Sequence, residues 1–120
     1  MTLQRLWIGL GALYGLIAVA MAALAAHVIP AAVQPMVRDA IQMQGWHALA
    51  LLFTGLWSVR AGIFAHLAGA AFALGTPLFC GAIFSIALAN VRLPFVAPLG
   101  GTLLMLGWAL LAFSALRRSA

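Results

Sequence analysis

The chain has 120 residues, 67% hydrophobic and only 6% charged, with a mean hydropathy of +1.18. Soluble domains carry about a quarter charged residues, and a fold this small has too little interior to hide so much apolar side chain from water. The net charge is +5, from 6 Lys+Arg against 1 acid, but the arginines stand at the ends of apolar runs with no basic cluster interleaved with aromatics, so they read as topology signals and lipid-headgroup contacts rather than a nucleic-acid surface.

The solvent for such a chain is the lipid bilayer. With no water there for backbone groups, only helices or a closed barrel can span it, and long runs that do not alternate exclude the barrel. A span needs about 20 mostly apolar residues, and four segments qualify: about 6–26, 41–59, 63–89 and 95–116. The fold expected is all-α, a polytopic membrane protein whose single domain is a four-transmembrane-helix bundle.

The first segment has a second reading. Residues 1–5 could open a signal peptide, with Ala23-Leu24-Ala25 as a cleavage site. The apolar run is longer than a signal core, so it is read as a permanent span. Gly11 and Gly15 give it a GxxxG pair for close helix contact. His27 lies at its far end. Pro30 and Pro35 bracket the next loop, and Pro35 suits the first turn of a new helix.

The second span opens with QMQGWHALALL, polar where lipid would want apolar. At about 100° per residue, Asp39, Met43, His47, Ala50, Thr54 and Ser58 share one face, with Leu49, Leu52 and Leu56 opposite. Polar side chains in a span face the bundle, so His47 is expected to point inward. The polar stripe expected in the bundle comprises Asp39, Gln44, His47, Thr54 and Asn90. Trp46 and Trp57 suit the two ends of the span as interfacial anchors. Arg60 and Gly62 then mark a tight connection.

In the third span, small residues recur at spacing four in Ala65, Gly69 and Ala73, and again in Gly81, Ser85 and Ala89. His66, Gly69, Ala73, Thr76, Cys80 and Ala87 lie close together on the helical wheel. Pro77 removes one helical hydrogen bond and should kink the span. Asn90, Arg92 and Pro94 mark the third connection, and Gly100, Gly101 and Gly107 would let the fourth helix pack closely.

An even number of spans puts both termini on one side, with Arg5, Arg60, Arg117 and Arg118. Arg38, Asp39 and Arg92 fall on the other. The positive-inside rule then places both termini in the cytoplasm. On that topology His27, His47, Cys80, Asp39 and Asn90 belong to the outer half, and His66 to the solvated inner side.

Two readings of these polar groups stay open. His27 and His47, with Cys80, could ligate a metal or haem, copper being apt for imidazole and thiolate, or serve a proton. Alternatively, neutral His27 and His47 hydrogen-bond Gln44, Asn90 or backbone carbonyls and lock the helices. HxxxH and CxxC are absent, and a single cysteine allows no internal disulfide; Cys80 reads as a small packing residue. Asp39 is the only acid available to orient a histidine. There is no acid pair, activated nucleophile or nucleotide loop, so no catalytic residue is expected and the chain does not read as an enzyme. A transporter or proton path ranks last: only Pro77 breaks a span, and no charge sits mid-membrane.

Three stretches carry a family resemblance. They are AALAAHV, ending in Ala26-His27; QGWHALALL, carrying His47-Ala48-Leu49-Ala50-Leu51-Leu52; and LFCG at 78–81 followed by PLGGTLLMLGW at 98–108. In these the chain resembles the family called transmembrane protein 256 or domain of unknown function 423. The pattern departs where alanines replace glycines around the first motif and where Cys80 stands for the usual Ser, so no cysteine-based role carries over from the family. The resemblance implies a small four-helix protein of a family found in bacterial inner membranes and mitochondria, here the inner membrane, without an established activity, cofactor or ligand. His27 and His47 fall on its motif positions. The function expected is structural or accessory, with the lipid bilayer, a membrane-protein partner or a homo-oligomer as its contacts.

Overall fold

The computed structural model describes residues 2–117. Four long helices follow one another: α1 (Leu3–His27), α2 (Gln34–Ala61), α3 (Ile63–Ala89) and α4 (Val96–Leu116), with one short 3-10 turn, Ala31–Val33, before α2. Among the described residues there is no strand.

Local chemistry sets the ends. The Thr2 hydroxyl caps α1, accepting from the Arg5 backbone N–H at 3.2 Å, one of the donors a helix start leaves orphaned. Pro35 sits in the first turn of α2, where its missing N–H costs nothing. That is why α2 begins at Gln34 and not at 41, where the apolar run begins: lipid-like composition stops at Asp39, but helical geometry does not. The polar first turns are held on the bundle by Val37 and Ala40, both fully buried. Gly62 alone joins α2 to α3, at φ 62° and ψ −130°. α3 ends on Asn90 in the left-handed conformation (φ 53°), whose N–H donates to the Ile86 carbonyl at 3.0 Å, an αL cap in which Asn takes the glycine's place.

Each helix packs against the next in sequence, α1 on α2, α2 on α3 and α3 on α4. All three pairs are antiparallel. Gly11 lies against Ala48 and Gly55 against Gln4 and Ile8; Cys80 reaches Ala40; Phe72 lies on Gly107, and Gly75 on Gly100. The product is an up-down-up-down rod, 52 × 25 × 22 Å.

Three helices, α1, α3 and α4, are long and apolar enough to cross a membrane. α2 is as long, at 28 residues, but Gln34, Arg38, Asp39, Gln42 and Gln44 make its first half too polar to qualify on composition. It nevertheless runs the length of α1. Gln34 donates to the carbonyls of Ala25 and Ile29 at one end, and Gly55 meets Gln4 at the other. At about 1.5 Å per residue such a helix is roughly 42 Å long, close to the ~40–45 Å of a bilayer with its headgroups. Gln34 and Gln44 give their amides to backbone carbonyls outside their own helix, as a segment without water requires, while Arg38, Asp39 and Gln42 stay exposed in its first turns.

Lipid solvates Leu as well as another helix does, so close packing and hydrogen bonds hold the bundle. A core of Trp7, Ala50, Leu51, Ala68, Phe72 and Leu104 lies between the helices. Its rings need glycine opposite them: a Cβ on Gly69 would stand 2.7 Å from the Trp7 indole, and one on Gly107 2.6 Å from the Phe72 ring. At the α3–α4 seam Gly100 comes so near that its Cβ would lie 2.9 Å from the Gly75 carbonyl. The stripe of Gly81, Ser85 and Ala89 is no such seam, since nothing stands within 4 Å of a Cβ on Gly81.

Candidate functional site

The side chains that carry chemistry meet across the middle of the bundle. Gln44, His47 and Thr54 turn inward from α2, at 5%, 3% and 0% exposure. Asp39 and Asn90, placed on the same stripe by the sequence, are exposed instead. Asn90 is spent on the turn that closes α3, and Asp39 lies on the side of α2 away from buried Val37 and Ala40.

His47 is fixed at both nitrogens. Its Nδ1 lies 2.6 Å from the Met43 carbonyl one turn back. Its Nε2 lies 2.9 Å from Trp108 Nε1 on α4. An indole N–H can only donate, so Nε2 accepts and Nδ1 carries the proton that goes to Met43. The imidazole is therefore the neutral Nδ1–H tautomer, with its one free lone pair already engaged. Phe72 completes the setting, its ring 5.7 Å from His47 and 5.1 Å from Trp108, tilted to both.

A second indole–imidazole pair joins α1 to α3 near the amino-terminal end of the rod. Trp7 Nε1 donates to His66 Nδ1 at 3.0 Å, and the indole rests where Gly69 has no side chain. The sequence reading left His66 to solvent; it is a half-buried acceptor. Likewise Trp57, read as an interfacial anchor, donates to Ser114 Oγ at 2.9 Å, which passes its own proton to the Leu111 carbonyl at 2.6 Å.

Other polar groups close the same way. Gln44 donates across to the Tyr14 carbonyl (3.0 Å) and Tyr14 Oη to the Ala73 carbonyl (2.6 Å). The Cys80 thiol, 1% exposed, points at the Ala40 carbonyl, 3.3 Å away. Thr54 and Thr76 bond back onto their own helices, to Ala50 and Phe72, as hydroxyls in helices commonly do. Among the described residues, every buried side-chain nitrogen and oxygen has a partner.

The structure does not gather His27, His47 and Cys80 into a ligand set. His27 ends α1 and is exposed, while His47 and Cys80 are buried with separate partners. Among the described residues no group of three or more His, Cys, Asp or Glu could hold a metal ion. The sequence signal for the true partners was thin. The inward face of α2 could be read from its period, but the indole donors stand 59 and 61 residues from the imidazoles they serve.

A family model described as "Protein of unknown function (DUF423)" matches residues 21–101. The matched stretch contains His47, His66 and Cys80, while the donors Trp7 and Trp108 lie outside it. The chain is 34% identical to the UPF0382 inner membrane protein YgdD of Escherichia coli K12, over 95% of this chain and 92% of that one. It is 29% identical to a UPF0382 membrane protein of Haemophilus influenzae, over 96% and 97% of the two chains. With a UPF0382 membrane protein of Staphylococcus epidermidis it shares 32% identity over 95% and 98%. No solved structure matches.

Proposed function

This chain belongs to the DUF423 family of membrane proteins, and we propose that it is a small structural or accessory component of the bacterial inner membrane, without catalytic activity of its own. The observation that carries this reading is the closure of the polar interior. The interhelical bonds given by Tyr14, Gln44, Trp57, Cys80 and Trp108 end on backbone carbonyls, on the Ser114 hydroxyl, whose proton goes back to Leu111 of its own helix, or on His47, whose proton goes back to Met43 of its own helix. A site that binds a substrate or ligates a metal needs polar groups left open to the ligand; here the buried ones are committed to holding helices.

The metal or haem reading draws no support from His47, whose lone pair faces Trp108. The proton-path reading draws none from a set of bonds that do not connect into a chain. Accessory membrane proteins act through their flanks, and the flanks here are apolar, with Trp46, Leu49, Phe53, Leu56 and Val59 exposed on α2 alone. Such faces suit lipid, a membrane-protein partner or a second copy.

Orientation follows from charge. The up-down-up-down course puts Arg5, Arg60 and Arg117 at one end of the rod, Arg117 lying 4.6 Å over the Phe64 ring. Arg118 lies outside the described residues. The opposite end has Arg38, Asp39 and Arg92. The positive-inside rule then supports a multi-pass arrangement with both termini in the cytoplasm.

The test uses full-length protein extracted from membranes in mild detergent. Metal analysis and an absorption spectrum are expected to show no stoichiometric metal and no haem band. A bound metal or haem lost on His47→Ala would overturn the reading. Reporters fused to the carboxyl terminus should be active only on the cytoplasmic side; activity on the outer side would reverse the orientation.

A further inference from the structure

A groove in two adjoining parts lies along the outside of the α1–α2 pair, and the parts differ in chemistry. The upper part, about 490 Å³, is walled by Gln34, Arg38 and Gln42 over a floor of Ala22, Ala25 and Ala26. The lower part, about 440 Å³, has Gly11, Gly15, Gly45 and Ala48 along its walls, with Trp46 and Leu49 on its rim. Gln42 lines both parts, so the cationic, amide-lined mouth adjoins the apolar stem.

We propose that this groove is a binding site for one anionic phospholipid, its phosphate at Arg38 and Gln42 and one acyl chain along the stem. Three observations point to that occupant. The mouth has an exposed guanidinium, and Arg presents several donors to a phosphate at once. Arg38 lies in the polar first turns of α2, at headgroup depth, where its charge complements a lipid phosphate. The stem runs from Gln42 to Leu52, roughly 15 Å at ~1.5 Å per residue, which is one leaflet of a ~30 Å hydrocarbon core. The groove stays open because its walls lack side chains: a Cβ on Gly45 would meet nothing within 4 Å, and one on Gly15 only Ala48 at 3.8 Å.

A second copy fits less well. Twofold pairing through this face sets the same patch of each subunit against the other, which brings Arg38 towards Arg38 at one height with no carboxylate in the groove wall to separate them. The site stands independently of the structural role proposed above, so its failure would leave that role untouched.

The full chain is reconstituted in phosphatidylglycerol vesicles, extracted, stripped of bulk lipid and weighed by native mass spectrometry. One phosphatidylglycerol molecule per chain is expected to survive. Arg38→Gln removes the charged phosphate contact, and Gly45→Leu puts a side chain into the stem from a position where a Cβ meets nothing within 4 Å. Each should lower occupancy about tenfold, equivalent to roughly 1.4 kcal/mol. Gly9→Leu, at an open position on α1 outside the groove, should leave occupancy unchanged, and helical circular dichroism of all three verifies folding. No retained lipid, or retention equal in all variants, overturns the proposal. So does a lipid-free dimer that Gly45→Leu converts to monomer, which would make the groove a seam between copies.

Discussion

Tyr14 on α1 repairs the break that Pro77 makes in α3. Proline has no N–H, so the Ala73 carbonyl four residues earlier loses its helical donor. The Tyr14 hydroxyl donates to that same carbonyl at 2.6 Å. A defect in one helix thus becomes the attachment point of another, where lipid could not satisfy the exposed acceptor.

This predicts a coupling. Tyr14→Phe leaves the Ala73 carbonyl unsatisfied and should destabilise the protein by about 1–2 kcal/mol in detergent unfolding. Pro77→Ala restores the N–H of α3. In that background Tyr14→Phe should cost much less. An equal cost in both backgrounds would show that the hydroxyl does not serve the carbonyl that proline frees.

The tautomer of His47 is a second consequence. Trp108 can only donate, so nitrogen NMR of labelled imidazole should find Nδ1 protonated and Nε2 bare. His47→Ala and Trp108→Phe should be non-additive, with a coupling of about 0.6–1.7 kcal/mol, the range of interhelical bonds within membranes. Additive losses, or a proton on Nε2, would contradict the bond at 2.9 Å.

The architecture was legible because long apolar runs and proline–glycine punctuation are local properties. The inward face of α2 was legible for the same reason: Gln44, His47 and Thr54 share a helical stripe. The partners were not. Whether Trp7 meets His66 depends on the height of α1 relative to α3, which packing of the intervening helix decides. Asn90, expected on the polar stripe, is also a residue of the third connection, and there it closes α3 and faces outward. The apolar run alone starts α2 at 41, where composition turns polar; Pro35, suited to a first helical turn, was the sign that it extends back to Gln34, with Val37 and Ala40 buried.

The two positive-φ residues among the described residues should respond in opposite ways to glycine and alanine chemistry. Gly62, at φ 62° and ψ −130°, occupies a region that side-chain-bearing residues avoid. Gly62→Ala should cost about 1–3 kcal/mol although a Cβ there meets nothing within 4 Å, so strain rather than a clash is the cause. Asn90, at φ 53°, is in the ordinary left-handed well, and Asn90→Gly should be neutral or mildly stabilising while Asn90→Val destabilises. Melting of the purified protein by circular dichroism separates the cases. A tolerated Gly62→Ala would mean that the α2–α3 connection can relax.

Cys80 serves as a donor rather than a reactive thiol. It is 1% exposed, and its thiol hydrogen points to the Ala40 carbonyl 3.3 Å away. Cys80→Ser keeps a donor of similar size at the α2–α3 contact and should alter stability by less than about 1 kcal/mol. Cys80→Val removes the donor and adds a branch at a fully packed position, and should cost about 1–3 kcal/mol. A maleimide should label the folded protein slowly and the denaturant-unfolded protein fast. Rapid labelling of the folded chain would place the thiol on an open surface and break the α3–α2 contact assigned to it.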